Sequence, residues 1–113
     1  MFYQDVDVLK IKEKNMIGKY VLVRGDRSGI FTGTLEKQEG NDGRQITLRN
    51  VRRLWYWDGA ASISHIAKYG VNKPENCKFP VENEIIKILD TIEIIECTEE
   101  SKKSIEKVPV WSQ

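Results

Sequence analysis

Ile46-Thr47-Leu48-Arg49-Asn50-Val51-Arg52-Arg53-Leu54-Trp55-Tyr56-Trp57, running directly into Asp58-Gly59-Ala60-Ala61-Ser62, is the stretch on which the reading of the fold turns. Its first part is β-rich and alternates in polarity. Side chains alternate across a strand, so Ile46, Leu48, Leu54 and Tyr56 share one parity, and Thr47, Arg49, Arg53, Trp55 and Trp57 share the other. If the aliphatic set faces a core, the arginine and tryptophan set faces outward or into a cleft. A bulge at Asn50-Val51 would flip the later half. The stretch reads as a third strand at 46–49 and a fourth at 51–57, or as one strand continued past a bend at Asn50. After Ala60 the period becomes helical, with Ile63, Ile66 and Ala67 on one stripe, Asp58 or Ser62 as N-cap and Gly70 at the C′ position. Strand pattern followed by helix pattern predicts an α+β fold.

Upstream, Lys19–Arg24 is β-rich and ends in the turn composition Gly25-Asp26-Arg27-Ser28-Gly29, and a second strand follows over Ile30–Lys37. Gly40-Asn41-Asp42-Gly43 signals a reversal, because Asn, Asp and Gly tolerate the positive φ of tight hairpins. Downstream, 71–80 with Pro74 and Pro80 reads as an extended connection. The Ile-rich 85–95 region reads as two strands around Asp90-Thr91, with a helix over 82–89 as the alternative. Thr98-Glu99-Glu100 opens an acidic, capped helix with Ile105 and Val108 on its buried stripe, and Trp111 in the tail is expected to dock on the body. The expected architecture is a strongly bent antiparallel sheet, or a small partly open barrel, of 5–6 strands, with one helix after the fourth strand and another at the C-terminal end. Residues 1–17 read as an arm or short element preceding a domain over 18–113.

Composition narrows the function classes. With 18 Lys+Arg against 17 Asp+Glu, no whole-molecule field favours nucleic acid, and only the local patch at 49–53 could supply one. Nucleic acid is therefore disfavoured as a partner but stays open through that patch, so a small nucleic-acid-binding ring protein is one alternative to ligand binding and a protein-interaction or inhibitor module using the aromatics is another. Cys77 and Cys97, with the single histidine His65, lack the paired short spacings of a zinc site. The N-terminus has no basic and apolar leader, and no apolar run is long enough to span a bilayer. A cytoplasmic protein with reduced cysteines is expected, with no membrane association.

The segment 49–62 also concentrates potential chemistry. Guanidinium groups bind phosphate, indole and phenol faces stack on bases, and N–H groups at a helix start attract anions. Arg49, Arg52, Arg53, Trp55, Tyr56, Trp57, Gly59, Ala60 and Ser62 are thus the candidate ligand-binding residues, and a nucleotide-type small molecule is the candidate ligand. The competing reading makes the aromatics core or subunit-interface residues and pairs the arginines with acidic groups. His65 lacks a nucleophile partner in sequence, Ser62 and Ser64 sit in no nucleophile elbow, and no phosphate loop, dinucleotide fingerprint or metal loop occurs. A non-enzymatic protein without a cofactor is expected.

Two resemblances add to this. Gly18-x-Tyr20-Val-Leu-Val23, Phe31-Thr-Gly33-Thr34-Leu35 and Ile46-Thr-Leu48-Arg49-Asn50-Val51 resemble the strand pattern of Sm-like small barrels. That resemblance implies a bent sheet and a ring-forming homo-oligomer; the acidic-and-Asn signature tied to RNA binding in those proteins is not reproduced at Asn41-Asp42-Gly43-Arg44. The motifs Arg52-Arg53-Leu54-Trp55-Tyr56-Trp57-x-Gly59-Ala60-Ala61-Ser62, Gly70-Val71-x-x-Pro74-x-x-Cys77-Lys78-Phe79, Ile92-Glu93-Ile94 and Ser104-Ile105-x-x-Val108-Pro109-Val110-Trp111 are similar to a family of small uncharacterised proteins of tailed phages and prophages. This second resemblance implies expression in a bacterial host cytoplasm and accessory roles such as countering host defence, and it carries over no catalytic residue.

Overall fold

The structure, a computed structural model, describes residues 15–112. The element expected within 1–17 lies largely outside the described residues. Five strands form one antiparallel sheet: β1 (Tyr20–Gly25), β2 (Ile30–Glu39), β3 (Gln45–Arg53), β4 (Asn83–Ile88) and β5 (Thr91–Glu96). Helix α1 (Ile63–Tyr69), a 3₁₀ turn at Pro74–Asn76 and helix α2 (Glu99–Glu106) complete the elements. The α+β fold with a bent open sheet is therefore as expected, with five strands. Of the two readings of 46–57, the single strand continued past Asn50 holds: β3 runs through Asn50 and ends at Arg53, so α1 follows the third strand and not a fourth.

The strand order is β4-β3-β2-β1-β5, which puts β4 and β5 at opposite edges although only Leu89 and Asp90 join them. Three virtual bonds span roughly 11 Å, whereas the edges of a flat five-stranded sheet lie roughly 19 Å apart. The sheet must therefore curl until its edges approach at this junction. Hydrogen bonds from Asp26 N to Asp90 O (2.8 Å) and from Thr91 N to Arg44 O (3.2 Å) close that end.

Curling separates two apolar clusters. Val21, Val23, Phe31, Leu35, Ile46, Leu48, Val51 and Ile88 fill the inner face. On the outer face Leu22 and Leu54 pack with Ile66, Ala67, Phe79, Ile105 and Val108 under the helices. The switch within β3 is a bulge: Thr34 pairs with Arg49 but Thr32 with Arg52, two residues against three, and Asn50 takes up the extra residue at φ 53°. Gly33 opposite allows it, because a Cβ there would lie 2.9 Å from Arg49 O. The simple alternation expected for 46–57 consequently fails after Arg49. Val51, not Arg52, continues the inner face, and Leu54 joins the outer cluster rather than that of Ile46 and Leu48.

The helices are tied to each other through hydroxyls. Ser62 caps α1, accepting from His65 N (3.2 Å), and Thr98 caps α2, accepting from Ser101 N (3.0 Å). Thr98 Oγ1 donates to Lys68 O (2.6 Å), and Ser101 Oγ to Ile66 O (2.5 Å). On the sheet side, Tyr20 Oη donates to Thr32 Oγ1 (3.0 Å). Burial pushes its phenol up to about 12.

Candidate functional site

Several of the sequence-selected residues have structural roles. Arg52 leaves the bulge towards the outer face and is only 6% exposed. Its Nε donates to Pro80 O (3.1 Å), Nη1 to Val108 O (3.2 Å) and Ile105 O (3.4 Å), and Nη2 to Phe79 O (2.9 Å). One guanidinium thus ties β3 to the 79–80 segment and to the C-terminal end of α2. Desolvation lowers its pKa, with Tyr20 and Glu82 opposing. Its donors face main-chain carbonyls, and it is removed from the groups free to hold a ligand. Arg49 sits across the sheet between Glu36 of β2, which it contacts directly, and Glu84 of β4 at 3.9 Å.

Gly59 and Ser62 are likewise accounted for by the backbone. Gly59 has φ +86°, and a Cβ there would meet Lys73 N at 2.6 Å and Asn72 N at 2.8 Å, so this position requires glycine for close approach of two chain segments. Its carbonyl accepts from Asn72 N (3.1 Å). Ser62, not Asp58, is the N-cap, and α1 begins at Ile63, so residues 59–61 form a bend ahead of the helix. Ala60 packs on the outer cluster.

The remaining residues come together. A groove of about 510 Å³ is lined by Arg27, Ser28, Gly29, Ile30, Arg53, Leu54, Trp55 and Trp57. One wall is the β1–β2 turn, which Asp90 holds from the other side. The Asp90 carboxylate accepts from Arg27 N (2.7 Å), Ser28 N (3.1 Å) and Ser28 Oγ (2.6 Å). These bonds, the Ser28 hydroxyl first, hold Asp90 below the usual carboxylate range. Arg53 lies over the Phe31 ring (4.4 Å to the centroid) and donates from Nη1 to Ser28 O (2.6 Å), which fixes its head at the groove edge. Among the described residues neither Arg27 nor Arg53 forms an ion pair.

The opposite wall is aromatic. β3 ends at Arg53, and the chain beyond is held by a bridge between Tyr56 and Lys78. Trp55 stays 61% exposed. Trp111 stacks on one side of it, with centroids 5.1 Å apart and planes inclined by 21°. Trp111 does not line the groove. Its position is set by the hydrogen bond from Trp111 N to Phe79 O (3.0 Å). Lys78 Nζ sits 5.3 Å from the Trp55 ring, 5.7 Å from Tyr56 and 5.5 Å from Trp111. Trp57 is half-buried, packing on the outer cluster and presenting an edge to the groove. Tyr56 is 50% exposed and lies outside the groove lining.

Of the sequence-selected set, the structure brings Arg53, Trp55 and Trp57 together at one groove, beside Arg27 and Ser28, with Lys78 and Trp111 adjacent to Trp55. Arg27 and Ser28 stood in a turn-forming run and gave no signal of their own. Trp111 was expected to dock, but its partner Trp55 is 56 positions away in sequence and only the tertiary fold reveals it. His65 packs edge-on to Tyr69 at 5.3 Å. Cys77 and Cys97 are buried and unbridged, and burial pushes the Cys97 thiol up to about 11. Among the described residues, no group of three or more His, Cys, Asp or Glu side chains is placed to hold a metal ion, and no helix is long and apolar enough to cross a membrane.

A family model described as a domain of unknown function, DUF6948, matches residues 18–105. The chain belongs to that family. The match takes in the sheet, α1 and most of α2, and with them the groove, while Trp111 lies beyond it. Comparison with curated proteins and with solved structures gives no match.

Proposed function

We propose that this protein is a non-enzymatic binding module that holds an anionic, ring-bearing ligand of nucleotide type in the groove between the β1–β2 turn and Trp55. One observation carries this reading: Arg27 and Arg53, which form no ion pair among the described residues, line the same groove as two indoles. Arginine heads match phosphate oxygens bidentately, and an exposed indole face accepts a base by stacking. The groove's 510 Å³ lies within the range of small-molecule sites. Trp111 and Lys78 hold the Trp55 ring, and Asp90 holds the turn, so little ordering remains to oppose binding. In the phage setting that the motif resemblance implies, the use of such a module would be to sequester a host immune signalling nucleotide.

Thermal unfolding with a panel of nucleotides tests this. A ligand at a hundred times its Kd adds about 2.7 kcal/mol to stability, a shift of roughly 10–20 °C for a domain of this size. Trp55→Ala and Arg53→Gln should each weaken binding at least tenfold while leaving the fold intact. A melting temperature unmoved by every nucleotide at millimolar concentration would refute the proposal.

A second reading draws on the neighbouring patch. Tyr56 and Trp55 flank Lys78, and Val110, 58% exposed, bridges to Phe79 beside them. An aromatic surface of this kind suits a protein contact, including one with a second copy of the chain. Tyr56→Arg separates the two readings. Tyr56 does not line the groove, so this substitution should leave nucleotide binding unchanged, whereas a protein contact centred on the patch would be lost in a pull-down or in native mass spectrometry.

A further inference from the structure

The groove is one half of a larger concavity. A second depression of about 360 Å³ lies on the other side of the β1–β2 turn, and Arg27, Ser28 and Arg53 line both. Its far wall is aliphatic, formed by Ile86, Ile88 and Leu89 at the β4–β5 junction, with Phe31 beneath. The curl of the sheet brings that junction to the turn, because Asp90 of the junction is the residue that anchors Arg27 and Ser28. Cations thus occupy a saddle, with an aromatic lobe on one side and an aliphatic lobe on the other. Lys87 of this wall is paired with Glu39 (3.6 Å), and the Asp90 oxygens are engaged by the turn, so Arg27 and Arg53 are the lining cations that form no ion pair among the described residues.

From this arrangement, and resting on the nucleotide reading above, we infer that the ligand is of the dinucleotide class: two heterocyclic bases joined through phosphate. The phosphate link lies on the Arg27–Arg53 saddle, one base stacks on Trp55, and the second lies against Ile86 and Leu89. A mononucleotide fills the aromatic lobe and the saddle but leaves the aliphatic wall wet. The second base covers that wall, and Leu89 in particular is 63% exposed without it. Arg53 is the hinge of the site, since its guanidinium is fixed by Ser28 O and by the Phe31 ring between the lobes.

The test compares the four ribonucleoside monophosphates with the matching linear dinucleotides pNpN by isothermal titration calorimetry on the full chain. The best dinucleotide should bind at least tenfold tighter than its mononucleotide. Leu89→Ser, a change at an exposed junction position, should remove most of that preference while leaving mononucleotide affinity within twofold. Leu89→Trp, which supplies a second stacking platform, should strengthen dinucleotide binding alone. Equal affinities for mono- and dinucleotides, or a preference untouched by both Leu89 substitutions, overturns the two-lobed ligand while the groove reading stands. Absence of binding to any member of either set overturns the groove reading as well.

Discussion

Replacing Arg52 separates the structural assignment of this residue from the ligand-binding role that its place in the motif suggests. The guanidinium makes four hydrogen bonds to carbonyls of Phe79, Pro80, Ile105 and Val108, at 2.9 to 3.4 Å. A hydrogen bond to a charged group contributes about 1.5–3 kcal/mol net, and a buried carbonyl left without a donor costs about 1–3 kcal/mol. These contributions do not add. Burying the cation has its own desolvation penalty, and a polar recess of about 280 Å³ beside Arg52 lets water reach part of the vacated space in an alanine variant. Arg52→Ala should therefore destabilise by about 3–4 kcal/mol, a large part of the 5–15 kcal/mol typical of a small domain. That corresponds to a fall of roughly 12–30 °C in Tm. Arg52→Lys keeps the charge but cannot address carbonyls on two elements at once, and should lose about half as much. Urea unfolding followed by tryptophan fluorescence reads these values. An Arg52→Ala protein within about 1 kcal/mol of wild type, with an unchanged m-value, would refute the role of Arg52 as the tie between β3, the 79–80 segment and α2. Normal stability together with lost nucleotide affinity would return Arg52 to the ligand site.

Three further outcomes follow from the geometry. Gly59→Ala should cost about 1–3 kcal/mol, because it combines a left-handed φ with a clash against the 72–73 backbone; chemical denaturation checks this. Asp90→Asn should lower stability at neutral pH and loosen the turn that carries Arg27. Asp90 is held below its ordinary pKa, so its contribution is present above about 4 and is lost as pH falls through the folded value; the gap between wild type and variant should close in acid and persist at pH 7. Cys97, with its thiol pushed up to about 11 by burial, should react with an aromatic disulfide reagent at pH 8 only as fast as the protein opens, and rapidly in denaturant.

Much of the sheet was legible because its signals are local. The glycine-rich turns at 25–29 and 40–43, the β-rich runs between them, the caps Ser62 and Thr98 and the buried stripe Ile66, Ala67 and Ile105 all follow from residues a few positions apart. The bulge was not legible in the same way. Asn50 permits a left-handed turn but does not demand one, and the decision belongs to the register shift between β3 and β2 at Gly33, where the absence of a Cβ leaves room for Arg49 O. One inserted residue then moved Arg52 to the outer face and Leu54 to the outer cluster. The role of Arg52 lay further out of reach, since all its acceptors are carbonyls at 79, 80, 105 and 108, and a carbonyl gives no sign in a sequence. Arg27 was hidden for a related reason: its turn is locally explained by glycine and serine, and only Asp90, 63 positions later, shows what the turn is held for.

The same division explains why the aromatic segment is available for recognition. The inner cluster takes no residue between Val51 and Ile86, and the outer cluster takes Leu54 and Trp57 but not Trp55 or Tyr56. A tryptophan presents roughly 250 Å² of surface, so the 61% of Trp55 left exposed corresponds to about 4 kcal/mol of apolar burial that folding does not realise. Core packing does not call for that much uncovered surface beside two arginines that form no ion pair among the described residues, with a second indole stacked on it. Trp111, which does not itself line the groove, restricts the Trp55 ring by stacking on it, as a rigid platform requires. Arg52 holds the 79–80 segment that positions Trp111, so the arginine that does not line the groove still determines how well its aromatic wall is held.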